Sequence, residues 1–279
     1  MGRNDWTDEK LFFRLLNNKS DRTYWENISA LRKRPTHEVF DKCIELTFSK
    51  DPKAREIGID TLAQLGTPLR PFYSDTIKRF FELLETENDP EILKSLLIAI
   101  SHNNEQLNQA QINKLCEFAN TDNDGIKEGL VFSLLRIKNP FAIDTLIKLS
   151  SDRLDYVRDW ATFGIGSMIE KNNRKIRAAL WARVNDKHED TKYEAIVGLA
   201  IRKDARVKGI IKRELLSRIY STSLFEAIID FGDKDFLPLL RQHFKEDNAS
   251  KDINPEWLKE LKECISELGR KLKHQAKDG

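Results

Sequence analysis

Eight residues of this 279-residue chain have the types and spacing of a binding site: Arg158, Asp159, Trp160, Arg177, Trp181, Lys192, Tyr193 and Arg202. Tryptophan, tyrosine and arginine carry much of the energy of protein interfaces, because each joins a large apolar area to a directed polar group. Asp159 and Trp160 are adjacent, and on a helix both would flank a buried stripe rather than lie on it. Trp181 sits between Leu180 and Val184, a spacing that suits either core packing or the wall of a site. Catalytic patterns are missing. The histidines, His37, His102, His188, His243 and His274, never stand three or four apart, so no helical metal pair forms. No Gly-x-Ser-x-Gly elbow, phosphate loop or Gly-x-Gly-x-x-Gly turn occurs. Cys43, Cys116 and Cys264 include no Cys-x-x-Cys pair, and each lies in an apolar helical run. They read as buried small hydrophobes, a usage that fits a reducing compartment. The expectation is a non-enzymatic binding protein with no cofactor and no metal.

The elements that would position these residues follow from one recurring pattern. A polar turn leads to Arg or Lys, then to a small or apolar residue three later and an apolar one seven later. Asp51-Pro52-Lys53-Ala54-Arg55 leads to Gly58 and Leu62, and Tyr156-Val157-Arg158 leads to Ala161 and Ile165. In register, the Arg position is held by Tyr24, Arg55, Leu93, Lys127, Arg158, Lys192 and Leu224. The position seven later is held by Leu31, Leu62, Ile100, Leu134, Ile165, Leu199 and Phe231, all apolar. Offsets of three, four and seven place these residues on one stripe of a helix. Ala161, Ala195 and Ala227 would let helices approach closely, and Gly164-Ile165-Gly166 reads as close packing inside a repeat helix. A second amphipathic helix follows each copy, for example Ile176-Leu180-Trp181-Val184. Asp51-Pro52, Asp89-Pro90 and Asn139-Pro140 mark helix starts, since proline suits a first turn. No strand alternation or hairpin signal is seen.

The Asp-x-x-Val-Arg-x-x-Ala-x-x-x-Leu scheme, carried best by residues 156–166 and 193–204, resembles HEAT repeats of bacterial proteins, including the group related to phycobilin lyases. The resemblance covers residues 20–245 and implies an all-α, right-handed α-solenoid of about seven two-helix HEAT-like repeats with terminal capping helices. The whole of 1–279 is then one array: an N-terminal cap at 1–20, repeats at 21–246 and a C-terminal capping helix at 255–274, with a frayed tail from Lys271. The resemblance further implies that Arg55, Arg158 and Lys192 pair with turn carboxylates of neighbouring repeats as a ladder. That ladder should break at Leu93 and Leu224. It also raises two other activities. HEAT-like alkylpurine DNA glycosylases use Trp and Asp in a basic cleft, and Asp159, Trp160 and Trp181 are similar to that recipe, though no motif aligns. A bilin lyase-like factor is the other.

Charge narrows the partner. The net charge is only +2, which argues against a surface wholly committed to nucleic acid. The distribution is uneven. Residues 38–135 hold 10 Lys/Arg against 17 Asp/Glu, a net of −7, and residues 136–218 hold 19 against 11, a net of +8. Segment 136–218 leaves nucleic acid possible. The N-terminus has no apolar core of a secretory signal and no stretch suits a membrane span, so the expected place is the cytoplasm. The reading is a scaffold that offers the concave face of its second helices to a protein partner, as an adaptor, a regulator or a toxin-neutralising immunity protein.

Overall fold

The computed structural model describes residues 2–67, 70–250 and 252–275. Among these residues it is all-helical. The helices are α1 (Asp8–Leu16), α2 (Asp21–Leu31), α3 (His37–Leu46), α4 (Pro52–Gln64), α5 (Tyr73–Thr86), α6 (Pro90–Ser101), α7 (Gln109–Glu117) and α8 (Asp124–Leu134). Then come α9 (Pro140–Leu149), α10 (Asp155–Phe163), α11 (Arg174–Trp181), α12 (Glu189–Ile201), α13 (Val207–Ser217), α14 (Ser223–Phe231), α15 (Phe236–Asn248) and α16 (Pro255–Gln275). The architecture is that of an α-solenoid. Register helices α2, α4, α6, α8, α10, α12 and α14 alternate with second helices, giving seven pairs between α1 and α16.

The helix starts fall where the sequence places them. Asp51 accepts a hydrogen bond from the Lys53 amide at 3.1 Å, Asp89 from Glu91 at 3.0 Å and Asn139 from Phe141 at 2.8 Å. In all three a proline opens the helix, where no amide is needed. Six of the seven anchor residues are buried, from Leu31 to Leu199, while Phe231 at the last repeat is half-buried. The position three after the Arg is buried in every copy: Asn27, Gly58, Leu96, Leu130, Ala161, Ala195 and Ala227. Cys43 and Cys264 are buried as expected, and Cys116 is half-buried.

The chain forms two compact units, 1–145 and 146–279. In the first, α4, α6 and α8 stack directly on one another. A Cβ on Gly129 of α8 would stand 2.8 Å from the Cβ of Leu97 on α6, so glycine sets that spacing. In the second, α10, α12 and α14 stack in the same way. There α10 widens at its C-terminal end into a π turn, Gly164–Met168. Gly166 of that turn meets Gly198 of α12, whose added Cβ would lie 2.7 Å from the Gly166 Cα. The expected close packing at Gly164-Ile165-Gly166 is therefore real, but in a π turn rather than a regular helix. At the end of the chain α16 covers α14 and α15, and Trp257 packs against Tyr220 and Phe225. The tail frays less than the sequence suggests. Lys271 donates to the carbonyls of Ile229 at 2.7 Å and Asp230 at 3.1 Å, and α16 runs on to Gln275. Residues 276–279 of the expected frayed tail lie outside the described residues.

Candidate interaction surface

Two kinds of position emerge along a register helix: those that hold one repeat to the next and those that face outward. Arg158 belongs to the first kind. It lies in the first turn of α10, donates back to the carbonyls of Asp152 and Arg153, and reaches forward to both oxygens of Asp186 at 3.1 and 2.8 Å. Asp186 lies in the turn before α12 and accepts the His188 amide as well. This bidentate pairing and the backbone bond hold its carboxyl below the usual range against the opposing effect of burial. Arg55 repeats the arrangement in the first unit, with Ser49 and Lys50 carbonyls behind it and Glu87 ahead at 2.7 Å. Lys192 departs from the expected ladder: it reaches Glu214 at 3.0 Å on α13, the second helix of its own repeat, and not a turn acid of the next. Leu93 and Leu224, buried at the same position, carry no such cation.

Tyr193 is nearly solvent-free, at 1% exposure, with its hydroxyl 3.4 Å from Glu214. Arg202 is equally unavailable at 5% exposure. Its guanidinium donates to the carbonyls of Ile165, Gly166, Ile169, Lys171 and Gly198 at 2.5–3.3 Å. The end of the π turn leaves carbonyls from Ile165 to Lys171 without helical partners, and Arg202 supplies donors to them from the next repeat, while its bond to Gly198 stays within its own helix end. Placing Tyr193 and Arg202 on a partner-binding surface is thus corrected: both are interior, because Tyr193 packs in the helix layer and Arg202 caps the turn.

Arg177 and Trp181 lie on α11, a second helix, apart from Asp159 and Trp160. Arg177 meets Asp204 at 2.9 Å, Trp181 donates its indole N–H to Asp204 at 3.2 Å, and Arg206 pairs with the same carboxylate at 2.7 Å while stacking over the Trp181 ring at 4.7 Å. Three donors converge on one shielded carboxylate, which lowers its pKa. The cluster borders an open hollow with Asn172 and Arg174, and its two guanidiniums on one carboxylate leave it net positive.

The outward stripe of α10 runs Tyr156, Asp159, Trp160 and Phe163, spaced i, i+3, i+4 and i+7, and continues to Ser167 in the π turn. Tyr156 and Trp160 are 39% and 38% exposed. Trp160 meets Phe163 edge-on at 5.7 Å. Beside it α12 presents Asp190, Glu194 and the exposed Ile201, and α14 presents Glu226. Glu194 lies near enough to be repelled by Asp159, Asp190 and Glu226, and Asp159 by Asp190. Burial, Asp159 and Glu226 push the Glu194 carboxyl up to about 7, with Ser167 at 3.4 Å as a weak counterweight. Burial and Asp190 raise Asp159, whose Oδ1 is shielded from solvent and accepts no hydrogen bond.

This candidate stripe lies on the register helices, whereas the sequence points to the second helices as the binding face. Sequence reasoning finds Asp159 and Trp160 but misses Asp190, Glu194 and Glu226. Their signal is the register itself: Trp160, Glu194 and Glu226 each stand two residues after the Arg position.

The first unit holds a separate acidic cluster. A cavity of about 410 Å³ is lined by Tyr24, the half-exposed Trp25, Glu56, Asp60 and Ser95, among others. Tyr24 donates to Asp60 at 2.8 Å. Burial, with Glu56 opposing ionisation, holds Asp60 at about 7.

Among the described residues no group of three or more His, Cys, Asp or Glu is placed to hold a metal ion, and no helix is long and apolar enough to cross a membrane. No family model matches the chain. It is 26% identical over 237 residues to Protein YibA of Escherichia coli (strain K12), covering 84% of this chain and 83% of that protein. The counterpart from Escherichia coli O157:H7 matches to the same extent. An X-ray structure of the Escherichia coli YibA protein superimposes with a TM-score of 0.71 at 23% identity, over 96% of this chain and 94% of that one. A crystal structure of an engineered protein gives a TM-score of 0.51 at 13% identity, covering 97% and 82%. At these identities the structural likeness shows a shared fold, the helical repeat architecture described above.

Proposed function

We propose that this chain is a non-enzymatic, HEAT-like binding protein that holds a protein partner on the register-helix face of its second unit. One observation carries the reading: the part-exposed aromatic stripe Tyr156–Trp160–Phe163 beside carboxylates that the fold does not neutralise. An indole with a shielded edge and a wet edge is a characteristic interface anchor. The repeat supports it rigidly, since Arg158 and Arg202 lock α10 at both ends. The basic segment supports a protein partner better than a nucleic acid, because its cations are mostly engaged inside the chain. Arg177, Arg183, Lys192, Arg202, Lys208 and Arg213 all bind internal acceptors.

The test is affinity capture from the native host, with the wild type compared with Trp160→Ala. A stoichiometric protein should be retained by the wild type and lost from a variant with an unchanged circular dichroism spectrum. Absence of any stoichiometric protein, or its undiminished retention by folded Trp160→Ala, overturns the reading.

A further inference from the structure

The face of α10, α12 and α14 says more about its occupant than that it is a protein. Its three outward stripes hold Asp159, Asp190, Glu194 and Glu226 and no lysine or arginine. Several cations nearby in sequence are committed elsewhere: Arg158 to Asp186, Lys192 to Glu214, Lys203 to the carbonyl of Phe231 at 2.9 Å. Removing carboxylates from water without a counter-charge is costly, and a fold normally supplies the counter-charge itself. Here the chain offers Glu194 one hydroxyl, Ser167, and offers Asp159 the neighbouring ring of His188. The Asp159 oxygen that accepts nothing adds a second sign that an acceptor has been left over. Tyr156, Trp160 and Phe163 share the outward stripe of α10 with Asp159. Aromatic rings beside carboxylates suit an alkyl stem that ends in a cation, since the ring faces attract positive charge while the stem covers apolar surface.

We propose that this face receives a lysine- or arginine-rich segment of the partner protein, with one cationic side chain seated between Asp159 and Glu194 against Trp160. The inference rests on the interaction reading given above and specifies its chemistry. Charge complementarity excludes the other polyionic occupants: a nucleic acid or an acidic segment would place like charges on the four carboxylates.

The probe is a fluorescent deca-arginine peptide, titrated by anisotropy at low salt. The wild type is compared with Asp159→Asn/Glu194→Gln, which keeps shape while removing charge, and with Glu256→Gln/Glu267→Gln on α16, which removes two exposed carboxylates from the same unit. The first variant should bind at least about ten-fold more weakly and the second within about two-fold, as expected for two close charge pairs against general attraction. Deca-glutamate should not bind. In the wild type, affinity for deca-arginine should fall as the pH is lowered from 8 to 6. Glu194 gains a proton over that range, faced by Asp159 and Ser167 from α10 and its π turn, Asp190 from its own helix and Glu226 from α14. Equal loss in both variants, binding that ignores pH, or deca-glutamate binding as tight as deca-arginine overturns the inference. A captured partner that needs Trp160 but tolerates Asp159→Asn/Glu194→Gln overturns it too, while leaving the interaction reading intact.

Discussion

Asp60 shows what a buried carboxyl does to stability when no cation accompanies it. Tyr24 donates to it, yet burial and Glu56 outweigh that bond and hold its pKa at about 7. The folded chain therefore binds a proton that the unfolded chain, with an ordinary aspartate, releases at much lower pH. Stability from the protonated form is complete below the unfolded value and is lost as pH rises through about 7. Each unit of such a shift corresponds to about 1.4 kcal/mol. Asp60→Asn keeps an acceptor for Tyr24 and cannot ionise. Its advantage over the wild type should grow by about 1–3 kcal/mol between pH 5 and pH 8, read from urea midpoints at the two pH values. A variant less stable at both pH values would show that the carboxylate itself is needed. None of this is visible at residue level in the sequence, where Asp60 is one more acid in a helix. Burial decides its behaviour, and burial depends on α2 and α6 lying against α4. Arg202 makes the same point: in sequence it reads as a surface cation, and in the fold it serves carbonyls opened by a π turn some 35 residues earlier.

Between elements, spacing is set by glycine and by the Arg-to-acid links. The links at Arg158 and Arg55 could be anticipated from the repeat scheme, and both form with the same backward and forward partners. The acidic partner could not be located so well, because it comes from the turn of the following repeat and repeat lengths vary from 31 to 38 residues. Close contact of α10 with α12 needs both Gly166 and Gly198. Gly198→Ala would push a methyl group to 2.7 Å from backbone, which no side-chain rotation relieves. It would also disturb the carbonyls that Arg202 holds. We expect a loss of about 1–3 kcal/mol, with the usual helix-propensity gain of alanine overwhelmed. Gly209 on α13 has open space around it and provides the control, since Gly209→Ala should be neutral or stabilising by up to about 1 kcal/mol. Thermal unfolding of the two variants checks this, and equal behaviour would mean that α12 can shift without cost.

Over the whole molecule, the sequence displays a basic block, but folding redistributes its effect. The net of +8 across residues 136–218 suggests an anion-binding surface when read linearly. In the second unit many of these cations are engaged by Asp186, Asp204, Glu214, Asp233 and backbone carbonyls, although Asp186, Asp204 and Glu214 are already counted in that net. The outward stripes of α10, α12 and α14 end up acidic although they come largely from the basic block. Linear charge counts fail here because a helix has faces: Lys192 and Glu194 are two residues apart yet point to different surroundings. Nucleic-acid affinity comes mainly from cations free to displace counterions from phosphates. A chain that spends its cations internally should bind duplex DNA no better than the weakest non-specific binders. A 20-base-pair duplex should show no mobility shift at 150 mM salt with about 10 µM protein. Binding whose strength falls steeply with salt, equivalent to several released counterions, would mean that Arg174, Lys175 and their neighbours on α11 form a working phosphate surface after all. The acidic face would then be the side turned away from the ligand.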